Sequence, residues 1–412
     1  MTVLFLLMAF TVPGKASADV LKIGIILPFT GSKAAFGQEM RRGFEIAIDI
    51  LEERGGIKGK YHVQPIWCDV PTVDAAIAEA ERLIGIEKVP IIVGTFGSDI
   101  AYAASTIAER NHVVYWEGCS PADALTERGY KYLFRTCSSA RSEGEIQVQF
   151  VHDNAALLGK RPGDLKIAVV GEDSVYGTSI VEGVVARAKE LGIKIVHKEL
   201  YSGTVTDLSP LIMKLKLLKP DVICMGHRID DGMLFYRQAR ELGLNARAII
   251  GTGGCFGAET FRETFRHLSD YVLCGNYPGE LTPPGFAPGL PDFMARYKAK
   301  YKRDNIFSVH SLAAYHSFMV LWEALESSKS LRPDDIREAV LALDIAPGKI
   351  ANGWGAKFAP PGHPSAGTNL NAFAVMTQWQ DGKLYMVWPE AYPGKQVVLP
   401  YPTWAEREAA KK

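Results

Sequence analysis

From Leu21 onward the chain alternates short β-branched runs with longer stretches whose apolar residues recur every three or four positions. That beat is the one produced by parallel strands covered on both faces by helices. The first unit shows it most clearly. A strand over 21–27 runs through Pro28-Phe29-Thr30-Gly31-Ser32 into a helix over 34–53. On that helix Met40, Phe44, Ala47, Ile48 and Leu51 share one face, while Arg41, Arg42, Glu45, Asp49 and Glu52 point elsewhere. Gly55-Gly56 ends it.

The same pattern predicts strands over 63–67, 89–93 and 113–115 and helices over 73–85 and 98–110, which completes one α/β lobe by about residue 135. It then restarts, with strands over 166–170, 194–200, 221–225, 248–251 and 271–275 and helices over 177–191, 207–218 and 231–242. A Pro/Gly-rich stretch, 277–291, precedes helices at 292–300 and 309–327, which have most room on the first lobe. Two alternating strands, 372–379 and 384–388, meet at Asp381-Gly382, a hairpin dipeptide. The expected fold class is therefore α/β: two Rossmann-like lobes, each around a parallel central sheet. A length of 412 residues, beyond what one core fills, agrees with two lobes. If the chain crosses between them more than once, the crossings form a hinge and the cleft becomes the obvious site.

The first residues differ from the rest. Val3 to Val12 is almost wholly apolar and Ala16-Ser17-Ala18 offers a small-x-small cleavage pattern, so 1–18 is expected to be a signal peptide, although no Lys or Arg precedes the apolar stretch. Its ~10 apolar residues fall short of the ~20 needed to span a bilayer. The mature chain is expected in the periplasm. Formal charge is +0, from 46 Lys+Arg against 46 Asp+Glu without a long run of one sign, which sets aside nucleic acid and acidic membranes as partners. The six cysteines form no C-x-x-C and suggest neither a disulfide framework nor a zinc site; Cys224 and Cys274, in apolar strands, read as buried thiols. No G-x-S-x-G, H-E-x-x-H or P-loop pattern occurs, and His310 and His316 are too far apart on one helix for a metal pair. No catalytic activity, cofactor or metal is expected.

The segment Ile23-Gly24-Ile25-Ile26-Leu27-Pro28-Phe29-Thr30-Gly31, with Gly37 and Gly55-Gly56-Ile57-Lys58-Gly59, resembles the leucine/isoleucine/valine-binding family of type I periplasmic binding proteins. The likeness continues through Ile92-Val93-Gly94, Leu125-Thr126, Arg128-Gly129-Tyr130, Phe134-Arg135-Thr136, Tyr176-Gly177 and Arg237-Gln238-Ala239-Arg240, in the family's order over nearly the whole chain. The resemblance implies two lobes joined by three crossover strands, a small solute closed between them, and delivery to the membrane permease of an ABC transporter. The expected division is 19–138 with 277–348 as the N-terminal lobe, 139–276 with 349–395 as the C-terminal lobe, and 396–412 as a tail. The same clamshell also serves sensory proteins, a reading left open here.

Ser98 opens a helix after a strand, where its hydroxyl and the nearby N–H groups suit an anion, or where it acts as a plain helix cap. The resemblance implies that this serine takes the solute's carboxylate, that Cys119 or Ser120 adds contacts, and that Phe36 and Tyr176 supply aromatic ones. Two departures from the family pattern stand out. At the position where amino-acid binders carry an acid for the ammonium, the chain reads Thr252-Gly253-Gly254, and where they often carry an aromatic it reads His227-Arg228. Glu117 is the available substitute for the missing acid. Arg228 suits a carboxylate, or else an internal pair with Asp230, Asp231 or Glu117. A small carboxylate, aromatic or dicarboxylic, is thus the expected solute, with an amino acid open through Glu117.

Overall fold

The computed structural model describes residues 19–409 except Pro393, so the expected signal peptide lies outside the described residues. The chain opens with β1 (Asp19–Leu27), α1 (Ala34–Glu53), β2 (Tyr61–Asp69), α2 (Val73–Gly85), β3 (Ile91–Gly94), α3 (Ser98–Arg110), β4 (Val114–Glu117) and β5 (Leu133–Arg135). A second lobe follows: α4 (Ala140–Asp153), β6 (Lys166–Glu172), α5 (Val175–Glu190), β7 (Lys194–Tyr201), α6 (Ser209–Leu218), β8 (Val222–Gly226), α7 (Ile229–Glu241), β9 (Ala248–Thr252), α8 (Glu259–Phe265) and β10 (Leu273–Asn276). The chain then returns to the first lobe for α9 (Leu290–Tyr301), α10 (His310–Ser327) and α11 (Pro333–Leu341). A third crossing brings β11 (Val375–Gln380), β12 (Lys383–Trp388) and α12 (Trp404–Ala409) to the second.

The two sheets have the same winding. Parallel strands stand in the order β2-β1-β3-β4-β5 in one and β7-β6-β8-β9-β10 in the other, where β11 and β12 extend the far edge antiparallel. In such sheets ligands bind beyond the carboxyl ends of the strands. Strands buried on both faces read as apolar runs, as Ile91-Ile92-Val93 in β3 and Val222-Ile223-Cys224-Met225 in β8 do.

Two boundaries differ from expectation. Ala351, Trp354, Ala356 and Phe358 are buried with Tyr277, Phe318 and Trp116 in the first lobe's core, so the stretch after 348 stays with that lobe and the third crossing comes after Phe358. The segment 396–409 is not a free tail: Tyr401 and Trp404 are buried in the second core, and the Tyr401 hydroxyl donates to the Ile249 carbonyl at 2.6 Å. Both errors arise because Gly- and Pro-rich sequence carries no periodicity from which a packing partner could be read.

The first and third crossings are stitched together. Arg135, fully buried, donates to the Pro121 and Ala122 carbonyls at 2.7 and 2.8 Å and to Thr368 Oγ1 at 2.6 Å. Asn369 Nδ2 donates to the Thr136 carbonyl at 3.1 Å. Helix α4, absent from the periodicity reading, lies with its backbone against α5. A Cβ on Gly144 would meet the Ile180 carbonyl oxygen at 2.1 Å, and one on Gly183 the Arg141 carbonyl oxygen at 2.1 Å. All six cysteines are free and buried. Among the described residues no helix is long and apolar enough to cross a membrane, and none of the His, Cys, Asp and Glu side chains form a metal-holding group.

Candidate ligand-binding site

The carboxyl ends of both sheets face each other across a cavity of about 150 Å³. The first lobe supplies Lys33 after β1, Phe96, Gly97 and Ser98 after β3, Cys119 and Pro121 after β4, and His310 at the start of α10. The second supplies Glu143 from α4, Tyr176 from α5, His227 and Arg228 after β8, and Gly253 and Gly254 after β9. Asn276 and Tyr277 come from the second crossing.

Each wall has a structural cause. Gly97 carries φ +115 and lets α3 begin directly at the cavity, with Ser98 in its first turn. Ser98 Oγ accepts the Ala122 N–H at 3.2 Å, which leaves its own proton free to donate. Ser174 caps α5, accepting the Tyr176 N–H at 3.2 Å, and so sets the ring of Tyr176 at the cavity. Ser139 caps α4 in the same way through the Ser142 N–H at 3.1 Å. The floor is aromatic: Phe96 meets His310 edge-on at 4.9 Å, and His310 meets Tyr277 at 5.6 Å. Burial pushes His310 down to about 3 and His227 down to about 4, so both rings are neutral at pH 7.

Ser98, Cys119, Tyr176, Arg228 and Gly253 all stand in this wall. Three expected residues do not. Phe36 lies behind it, stacked on Phe96 with centroids 4.4 Å apart, so Phe96 presents the ring that Phe36 was expected to present. Ser120 is fully buried, its hydroxyl donating to the Thr95 carbonyl at 3.1 Å. Glu117 points away from the solute space, and its Oε1 accepts the N–H groups of Thr95, Cys119 and Ser120 at 2.8, 2.9 and 2.9 Å. Burial nevertheless raises Glu117 to about 7. It is thus a knot between two loops and does not stand in for the missing acid; it also occupies the amides of Cys119 and Ser120.

Arg228 is in the wall but already paired. Its Nε lies 3.4 Å from Glu172 Oε1 and its Nη1 3.8 Å from Asp99 Oδ2, on α3 of the opposite lobe. Neither partner is one of the three acids considered from the sequence. Lys33 reaches the same Asp99 at 3.4 Å. Burial alone would raise Asp99, but these two cations outweigh it and its pKa falls.

The absence of a side chain at Gly253 also has a cause. A Cβ there would sit 2.0 Å from Asn276 Oδ1, which accepts the Tyr277 N–H at 2.9 Å. Lining residues missed from the sequence are Lys33, Phe96, Asn276, Tyr277 and, on the helix that was itself missed, Glu143. Glu143 is buried in the wall, accepts the Tyr176 hydroxyl at 3.1 Å, and is raised by burial to about 8.

Comparison with known proteins agrees with this architecture. The family model described as periplasmic binding protein matches residues 20–382. The chain belongs to that family. This periplasmic binding protein is 37% identical over 390 residues to the Leu/Ile/Val-binding protein homolog 7 of Brucella suis biovar 1, covering 93% of this chain and 95% of that one. Among solved structures it is similar to the branched-chain amino acid transporter substrate-binding protein LivJ from Streptococcus pneumoniae, in complex with isoleucine, at TM-score 0.74 and 22% identity, covering 93% of this chain and 100% of that one. It is also similar to an ABC transporter solute-binding protein from R. palustris in complex with 4-hydroxybenzoate, at TM-score 0.76 and 18% identity, covering 96% and 100%. The two-lobed α/β fold expected from the sequence is therefore the fold of the family.

Proposed function

We propose that the chain is the exported solute receptor of an ABC importer, closing around one small carboxylate-bearing solute and handing it to a membrane permease without chemical change. The observation that carries this reading is the cavity itself. It is lined from both lobes at the carboxyl ends of two sheets, and Arg228 in its wall pairs with Asp99 of the opposite lobe. Contacts across the lobes continue beside it: the Arg141 N–H donates to Asp123 Oδ2 at 2.8 Å, and the Asp123 N–H donates to Ser179 Oγ at 3.4 Å.

The carboxylate end of the solute is assigned to Ser98 and the start of α3, where free donors and the helix dipole favour an anion. Phe96, Tyr277 and His310 would pack against the body of the solute, and Tyr176 would close from the other lobe. The ligands of the two solved neighbours, isoleucine and 4-hydroxybenzoate, share a carboxylate and little else. The wall's charges also argue against a dicarboxylate. Lys33 and Arg228 are offset by Asp99 and Glu172, and Asp230 and Asp231 remain. A thermal-shift screen against amino acids, aromatic acids, dicarboxylates and small amides tests the reading. A stabilising solute recovered unaltered by mass spectrometry supports it; a solute converted to product contradicts it.

A further inference from the structure

The acids around the cavity differ in how they are satisfied. Asp99 has Lys33 and Arg228. Glu172 has Arg228 and the N–H groups of Ser174 and Gly177, at 2.8 and 3.1 Å. Asp231 accepts from the Tyr201 hydroxyl at 2.7 Å and the Arg228 N–H at 2.9 Å, and Asp230 is exposed to water. Glu143 is the exception among the described residues. It is buried in the wall with one neutral donor, the Tyr176 hydroxyl, and no cation beside it.

Its surroundings leave that vacancy open. From the first lobe Asp123 repels the charged form, and Arg135 favours it only from a distance, its guanidinium held by the Pro121 and Ala122 carbonyls and Thr368. Tyr277, Cys137 and Cys274 are the other titratable groups near it, and burial keeps all three neutral. Position in the first turn of α4 favours a carboxylate through the helix dipole, as does the donated hydroxyl of Tyr176. A carboxyl so placed is completed by a cation arriving from the cavity.

We propose that Glu143, with the Tyr176 hydroxyl, is the specificity-determining pair of the cleft: it receives a protonated nitrogen of the solute, from α4 and not from the position that Gly253 leaves empty. The inference rests on the receptor reading above. It narrows the solute to one that carries an ammonium as well as a carboxylate. The Asn276 side chain blocks an acid at Gly253, and Glu117 is turned inward, so Glu143 is the buried acid left to do this. Binding such a solute ionises a carboxyl that is protonated at pH 7, so a proton leaves as the solute enters.

The test is calorimetric titration at pH 7 with matched solutes, leucine against 2-hydroxy-4-methylpentanoate and 4-(aminomethyl)benzoate against 4-hydroxybenzoate, each in two buffers of different ionisation heat. The expected result is that the amine member of a pair binds at least about thirty-fold more tightly and releases about one proton. Glu143→Gln should remove that preference, so that the two members of each pair bind with similar strength. Equal or tighter binding of the amine-free member, or amine binding without proton release, would overturn the inference and leave the receptor reading standing. Silence from all four solutes, and from the wider thermal-shift screen, would take down both. Should Glu143→Gln fail to fold, the proton count on the unaltered protein decides alone.

Discussion

Asn276 and Glu117 show how single residues shape the cleft from behind. The amide of Asn276 fills the space in front of Gly253, so Gly253→Ala must displace it, at an expected loss of about 1–3 kcal/mol in urea unfolding. Asn276→Ala in the same chain should recover part of that loss, which separates crowding from any effect of glycine alone. Glu117→Ala would strand three buried N–H groups, those of Thr95, Cys119 and Ser120, and should cost about 3 kcal/mol or more by the same measurement. Glu143 carries a pH signature. Its folded pKa, about 8, lies above the ordinary 4.5, so between these values the folded chain holds a proton that the unfolded chain has lost. Stability from this group is intact below about 4.5 and falls as pH rises to about 8. The stability of Glu143→Gln relative to the unaltered, solute-free protein should therefore increase across that window, as read from unfolding midpoints at pH 5, 6.5 and 8. A constant difference would mean that Glu143 is ionised in the empty cleft.

Helix α3 and the start of α7 meet through Arg228 and Asp99, one from each lobe and each about a third exposed, with side-chain accessibility of 34% and 34%. A pair that open to water is worth about 0.5–1 kcal/mol, and its contribution falls on closure. Arg228→Ala and Asp99→Asn should each weaken solute binding by a few-fold, mainly through faster release, and the double variant should be no worse than either single one. If Arg228 instead clamped the solute's carboxylate, Asp99→Asn would free its guanidinium and tighten binding. At this scale the sequence was legible wherever periodicity was strong: helices α2 and α3 have the bounds the pattern predicts, 73–85 and 98–110. Helix α4 was not legible. Its sequence, Ala140 to Asp153, is mostly polar: only its later turns bury large apolar residues, Val148, Phe150 and Val151, and its first turns are held by close backbone contact with α5 at Gly144 and Gly183. Glu143, which lines the cavity, was hidden with it.

Across the whole molecule, two sheets of the same winding present their carboxyl ends to one space, which follows from the alternation of strands and helices. The position of Ser98 in that space was legible because it follows a strand end, and those of Tyr176 and Gly253 through the family resemblance. What the alternation could not show was direction: whether Glu117, Ser120 and Phe36 turn toward the cavity or into a loop and a core. Gly254 allows a decisive measurement, because a Cβ there would meet only Phe96, at 3.9 Å, and a larger side chain would grow into the solute space. Calorimetric titration of the best stabilising solute into the unaltered chain from Asp19 onward and into Gly254→Leu asks whether the cleft is the site. Binding of one solute per chain, lost in Gly254→Leu while its melting temperature without solute is kept, is the predicted result. Binding of equal strength in the variant would contradict a function that resides in the cleft.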